Sequence, residues 1–432
     1  MTGLNFQPDW FWAKARSQAY HHTLMDSVRG SDRQLWSNRT DGEQTNANFL
    51  TSFNSNGVTL GDNSSGTGAT NTNGHTYVGW NWNAGDTDGK TYTVTVVSDS
   101  GNKYRFDGFG TSAVTLDLAE GGTYIFNYPS AHPLKFSTTA DGTHGGGSEY
   151  TTGVTHNTST QVTIVVAASA PTLYYYCGSH SGMGGQVNTN STLGSSNFGG
   201  SIQSTVKANA SAGFSIVTYT GTGADATIGH GLGVAPNVAL TKKRSGSQNW
   251  LVKHSGAGSG KVSYLDLGDP ADSSGSGGGI ISDFSSSSNY SVTRYNNTGN
   301  YGNVNESSAT YVSYVFSEVA GYSKFGSYVG NGNSDGVFVY TGFKISWLMV
   351  KKSSGSDSWL IMDNKRDVDN VVGNTLAANS SGAENADTGG IPTDFLSNGF
   401  KCRGSGGDFN ASGSTYIYLA FAESPFKNSR AR

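Results

Sequence analysis

Apolar residues along the chain fall in short stretches that alternate with polar ones at every second position, broken by clusters of Gly, Asn and Ser. That pattern predicts brief β-strands joined by turns. One set of strands occurs three times. Each set opens with an apolar strand ending in a base: Pro8-Asp9-Trp10-Phe11-Trp12-Ala13-Lys14, Pro236-Asn237-Val238-Ala239-Leu240-Thr241-Lys242 and Ile345-Ser346-Trp347-Leu348-Met349-Val350-Lys351. A second element follows: His22-Thr23-Leu24-Met25-Asp26, Trp250-Leu251-Val252-Lys253-His254 and Trp359-Leu360-Ile361-Met362-Asp363. The closing strands begin Thr76-Tyr77-Val78, Thr310-Tyr311-Val312 and Thr415-Tyr416-Ile417. From strand-end Lys to closing Thr the separations are 62, 68 and 64 residues, near enough to constant to mark an internal repeat. Units of this kind predict an all-β chain of antiparallel, jelly-roll-like sandwiches.

Repeats 2 and 3 also carry a leading strand, Phe214-Ser215-Ile216-Val217-Thr218-Tyr219 and Lys324-Phe325-Gly326-Ser327-Tyr328-Val329, for which repeat 1 has no counterpart. An unfilled sheet edge invites strand exchange, so a homo-oligomer with residues 1 to 20 at a subunit contact is expected. Between repeats 1 and 2 the pattern changes to seven expected strands, from Tyr92–Val97 to Thr172–Tyr176, the count of a small Greek-key sandwich. The expected division is residues 1–85 for repeat 1, 86–190 for the insert, 191–320 for a linker and repeat 2, and 321–432 for repeat 3.

Composition narrows the function classes. Gly is 61 of 432 residues and charged residues are 13%, against about 7% and a quarter in ordinary domains. Aromatics at 12% are too many for a disordered chain, so the Gly excess belongs in turns between packed strands. A net charge of −4 gives no basic footprint for nucleic acid or for an anionic membrane. The start Met1-Thr2-Gly3-Leu4-Asn5 has neither the basic nor the apolar region of a signal peptide, and no run is long enough for a membrane span. The two cysteines, Cys177 and Cys402, fall in different expected units, which excludes a disulfide network.

Candidate chemistry concentrates in the insert. Cys177-Gly178-Ser179-His180-Ser181-Gly182-Met183 puts a thiolate, an imidazole and a thioether in one loop, and His132 can add a second imidazole from across the sandwich. Two His, one Cys and a weak Met form the trigonal set that suits copper, since sulfur stabilises the reduced ion and imidazole serves both oxidation states. Zinc at the same residues is the lesser alternative. Residues 90 to 188 resemble a cupredoxin of the amicyanin and plastocyanin type, whose Cys-x2-His-x2-Met loop matches Cys177, His180 and Met183. That resemblance implies His132 as the upstream ligand and copper as the cofactor.

Elsewhere the residues invite bland readings. His144 and His156 lie in Gly- and Thr-rich loops and read as solvated side chains before alternative ligands. The His21-His22 pair reads as a strand end. Asp26 and Asp363, at equivalent places, read as turn residues or ion-pair partners of Arg29 and Arg366. No nucleophile elbow, phosphate loop or dinucleotide fingerprint occurs, and the Gly runs at 145–147 and 277–279 lack the required Lys or following helix. An enzyme is therefore not expected. Taken whole, the chain resembles repeat-built structural proteins of marine bacteriophages, on the strength of Phe6-Gln7-Pro8-Asp9-Trp10-Phe11-Trp12, the closing Thr-Tyr strands and the ending Tyr418-Leu419-Ala420-Phe421-Ala422-Glu423-Ser424-Pro425-Phe426-Lys427. The resemblance implies a tail-fibre, spike or capsid-surface protein in the virion, with other virion proteins and a host receptor or glycan as partners. The alternatives are a copper-binding redox protein tethered by the repeats, and a bacterial surface adhesin or lectin.

Overall fold

The computed structural model describes residues 1–62, 66, 68–85, 88–272, 279–294, 301–386 and 391–423. Gly277, Gly278 and the ending Ser424-Pro425-Phe426-Lys427 lie outside the described residues. The fold is all-β and dominated by antiparallel pairs; among the described residues the one α-helix is the single turn Gly407–Asn410. No helix among them is long and apolar enough to cross a membrane.

The three repeats share one strand register. The first strands, Trp10–Ala15, Val238–Lys243 and Trp347–Lys352, each lie between a second strand and a closing strand. The second strands are Thr23–Asp26, Leu251–His254 and Trp359–Asp363; the closing strands are Tyr77–Trp82, Thr310–Phe316 and Thr415–Phe421. Trp12 faces Leu24 and Trp80, Leu240 faces Val252 and Tyr314, and Met349 faces Ile361 and Leu419, so one pairing scheme holds at all three places. In repeats 2 and 3 the leading strands Phe214–Thr220 and Ser323–Val329 pair with the far edge of the closing strand. In repeat 1 the closing strand is the edge of its sheet.

Each large sheet buries both faces, which explains why all six residues of Trp10–Ala15 are buried. One face packs on a smaller sheet or hairpin of its own repeat. Phe11, Ala13 and Met25 meet Phe49 and Val58; Ala239 and Leu251 meet Ile228 and Val292; Leu348 and Leu360 meet Val339 and Phe400. The opposite faces of all three sheets meet one another in a single core containing Trp12, Leu240 and Met349. The three repeats are joined by this shared core and do not stand as separate sandwiches. The repeats are wedges of one body, because each sheet is apolar on both sides and neither side tolerates water.

Equivalent polar contacts stitch each wedge to the next around a ring. Trp250 Nε1 of repeat 2 donates to the Trp36 carbonyl of repeat 1 at 2.8 Å, and Trp359 Nε1 of repeat 3 donates to the Tyr264 carbonyl of repeat 2 at 2.8 Å. His22 takes the corresponding place in repeat 1, accepting from Trp12 Nε1 at 2.9 Å, while its buried Nε2 lies toward the Ala377 carbonyl of repeat 3 without making a hydrogen bond. The Glu43 amide donates to the Arg244 carbonyl at 2.8 Å, Ala271 to Ser353 at 2.9 Å and Glu384 to Arg16 at 2.9 Å, again one bond per junction. Asp26 and Asp363 pair with Arg29 and Arg366 as the sequence suggests.

One expectation for repeat 1 changes. The open edge belongs to the closing strand Tyr77–Trp82 and not to residues 1 to 20, because Trp10–Ala15 is paired on both sides. The aromatics of this sheet, Trp10, Phe11, Trp12, Trp80 and Trp82, are buried. Residues 191–212 are also more than a linker: Ser195–Asn197 and Ser204–Asn209 extend the sheet of repeat 2 to seven strands.

The insert is a two-sheet sandwich of nine strands. One sheet runs Leu116–Ala119, Gly185–Asn190, Leu173–Cys177, Leu134–Ser137; the other runs Val154–Thr158, Gln161–Val165, Thr123–Asn127, Gly89–Ser98, Asn102–Phe106. Val154–Thr158 and Gly185–Asn190 are absent from the seven strands expected, since neither carries an apolar alternation. Lys207 of repeat 2, buried, stands 3.4 Å from Asp88 at the entry to the insert and 4.0 Å from Asp9 of repeat 1, tying three units at one point.

Candidate metal centre

Cys177 ends the strand Leu173–Cys177 and is fully buried, its neighbour across the ladder being Leu134. That pairing fixes where His132 can lie, two residues before the strand Leu134–Ser137. The His132 amide donates to the Pro129 carbonyl at 2.9 Å, and the His132 carbonyl accepts from Tyr104 Oη at 2.7 Å, so the backbone carrying the imidazole is held from both sides. The loop after Cys177 is held as firmly. The Gly178 amide donates to the Pro133 carbonyl at 2.8 Å, Asp141 Oδ1 accepts from the Gly182 amide at 2.8 Å, Lys103 Nζ donates to the Gly182 carbonyl, and the Met183 carbonyl accepts from the Tyr104 amide at 3.0 Å.

These supports bring three expected ligands together. Cys177 Sγ is 3.9 Å from His132 Nδ1 and 3.7 Å from His180 Nδ1, and the three ligand atoms lie within 4.8 Å of one another. The two imidazole rings are 4.7 Å apart, centre to centre. An ion bound at ordinary lengths of about 2.0 Å to nitrogen and about 2.3 Å to sulfur spaces a nitrogen and the sulfur about 3.5 to 3.7 Å apart, for bond angles from tetrahedral to trigonal. The Cys177–His180 distance of 3.7 Å lies at the upper end of that interval, and the Cys177–His132 distance of 3.9 Å is about 0.2 Å beyond it. Met183, the fourth residue of the expected set, is buried in the insert core with Tyr104, Phe106 and Tyr175. His180 is exposed, which leaves the centre one face toward solvent.

The other insert histidines are engaged elsewhere. His144 Nε2 donates to the Cys177 carbonyl at 3.0 Å, which makes it a brace for the cysteine strand. His156 Nε2 lies 2.6 Å from Glu149 Oε1 on the surface. Tyr104 was not singled out from the sequence, although it bonds to both the His132 and Met183 backbones; an aromatic within an alternating strand carries no signal that its hydroxyl reaches a loop. Burial pushes its hydroxyl pKa upward, with the neighbouring Cys177 adding to the effect, so it stays a donor.

The chain matches the family model described as a domain of unknown function (DUF7483) over residues 1–127 and 187–425. It belongs to that family. The match skips residues 128–186, the stretch that contains His132, Cys177, His180 and Met183, so the candidate metal centre lies wholly outside the part of the chain that the family model covers. No curated protein and no solved structure matches the chain.

Proposed function

We propose that this protein is a structural component of a bacteriophage particle, on its tail or capsid surface, and that its three repeats form a rigid platform carrying a copper-binding domain. The observation that carries the structural role is the closed ring of repeats around one core. A body held by three equivalent junctions without disulfides is suited to bearing load and to presenting an attachment surface after assembly in a reducing cytosol. The resemblance in the repeats points the same way, toward a virion protein with other virion proteins and a host receptor or glycan as partners. Mass spectrometry of purified particles from the encoding phage tests this reading: recovery of the chain at stoichiometric amounts is expected, and its absence from particles overturns it.

The clustering of Cys177 with the Nδ1 atoms of His132 and His180 favours copper in the insert. A thiolate with two imidazoles binds copper in either oxidation state and stabilises the reduced ion, which is the chemistry a bound copper would supply here. The residues fit, and the cupredoxin resemblance names the same set with Met183 as the weak fourth ligand. Loading the intact protein with Cu(II) and recording the visible spectrum tests it. An intense thiolate-to-copper band that is absent from Cys177→Ser supports the centre; a spectrum identical in both proteins overturns it.

A further inference from the structure

We propose that the free edge of the closing strand Tyr77–Trp82 is a docking site for an extended segment of a partner protein, which adds one antiparallel strand to repeat 1. Thr76 and Trp82 accept from the Arg16 and Asp9 amides with their carbonyls, at 2.7 and 2.8 Å, so the residues of even number point their backbone groups at the first strand. Strand geometry then turns the N–H and C=O groups of Tyr77, Gly79 and Asn81 the other way. In repeat 2 the same set, Tyr311, Ser313 and Val315, faces Tyr219, Val217 and Ser215 of the leading strand. In repeat 3, Tyr416, Tyr418 and Ala420 face Tyr328, Gly326 and Lys324. No strand among the described residues takes that place beside Tyr77–Trp82.

The edge carries the marks of a vacancy that the chain covers in part. Asn81 Nδ2 folds back onto the Gly79 carbonyl at 3.2 Å, covering one outward acceptor, while Asn81 Oδ1 is left buried with no donor. An incoming strand could supply that N–H. The two filled edges state what fits: about seven residues, antiparallel, with an apolar side chain such as Phe214, Ile216 or Phe325 turned toward the shared core. An unpaired edge of six residues is otherwise a liability that stable proteins cover.

The test uses the intact protein and synthetic peptides copying residues 213–221 and 322–330, the segments that fill the equivalent edges. Saturable one-to-one binding is expected, with amide exchange at Tyr77, Gly79 and Asn81 slowing about tenfold or more while Val78 and Trp80 change little. In the first peptide, N-methylation at Ser215, Val217 or Tyr219 should abolish binding and N-methylation at Ile216 or Thr218 should not, because only the first three turn their N–H toward the closing strand. Two results overturn the proposal. One is exchange at Tyr77, Gly79 and Asn81 already as slow as at Val78 without peptide, with no binding. The other is concentration-dependent self-association that Asn81→Pro abolishes, which assigns the edge to a second copy of this chain.

Discussion

Phe316 of repeat 2 meets Phe421 of repeat 3 with ring centres 5.5 Å apart and planes at 62°. Both are the last residue of a closing strand, and Trp82, the same residue of repeat 1, lies 6.4 Å from Phe316 and 5.8 Å from Phe421. Three equivalent rings thus close a triangle on the approximate threefold axis of the molecule, each edge to face with its neighbours, the arrangement ring quadrupoles favour.

That triangle predicts shared stability. Phe316→Ala should cost about 3 to 5 kcal/mol, and the loss should be felt in all three repeats because the cavity opens onto all three sheets. Denaturant unfolding followed by hydrogen exchange checks this. Protection should fall together in Trp10–Ala15, Val238–Lys243 and Trp347–Lys352; a loss confined to repeat 2 would mean that the repeats are independent domains.

The junctions give a second expectation. Glu43 of repeat 1 takes both Arg244 of repeat 2, bidentate at 2.9 Å, and the fully buried Arg29 at 3.0 Å; Glu384 does the same for Arg16 and Arg366 at the opposite junction. Burial alone would raise the Glu43 carboxyl, but the bonds from Arg244 and the charge of Arg29 outweigh it and hold its pKa below the ordinary value. Its folded pKa is depressed, so its contribution is complete above the unfolded value and fades as pH falls through the folded one. Glu43→Gln should therefore destabilise by about 3 kcal/mol at neutral pH, since it leaves Arg29 without a full counter-charge, and should flatten the acid limb of the stability curve. An unchanged midpoint in urea would count against the junction.

Much of this was legible in the sequence, for physical reasons. The register that aligns Trp12, Leu240 and Met349 follows from strands whose period of two fixes one face against a core. The ion pairs of Asp26 with Arg29 and Asp363 with Arg366 are local, three residues apart, and readable as such. Periodicity says that a face is buried but not against what, so the packing of Trp10 on Tyr314, 4.2 Å between ring centres, could not be foreseen. Glu43 and Glu384 act on arginines 201 and 368 residues away and carry no local mark. In the insert the tight Cys177 to Met183 loop was visible because three ligand types crowd into one loop. Tyr104, His144 and Asp141, which brace that loop, were not visible, because each acts through a backbone group.

Copper should also stabilise the insert. Binding to the folded state alone adds about 2.7 kcal/mol when free metal is 100-fold above its dissociation constant. Thermal unfolding with and without Cu(I) should show that gain in a transition reported by insert residues such as Tyr124 and Phe136, and His132→Ala should reduce it. A shift of equal size in Cys177→Ser would place the metal elsewhere.

His254 makes the last prediction. It holds in repeat 2 the position of Asp26 and Asp363, opposite Val238 as they are opposite Trp10 and Trp347, but meets its neighbour as a neutral ring. Its Nδ1 accepts from the Gly256 amide at 2.9 Å and its Nε2 donates to the Tyr418 carbonyl of repeat 3 at 3.0 Å, which fixes the tautomer and leaves no acceptor for a second proton. Burial lowers its pKa from 6.5 to about 4, the bond to Tyr418 opposing and nearby Lys253 assisting. Because the folded value is the lower one, the unfolded chain binds the extra proton first, and this residue's contribution to stability is lost as pH falls from 6.5 toward 4. At about 1.4 kcal/mol per pH unit the loss amounts to about 3 kcal/mol across that window. The buried carboxyls of Asp9 and Asp266, raised to about 6 mainly by burial, act in the opposite direction over the same range, so the wild-type curve reports only a net effect. His254→Asn, which cannot charge, isolates the residue. Relative to wild type it should lose stability at pH 7, where the bond to Tyr418 is weakened, and regain part of it at pH 4. A difference between the two proteins that is constant from pH 7 to 4 would mean that His254 does not titrate in this window.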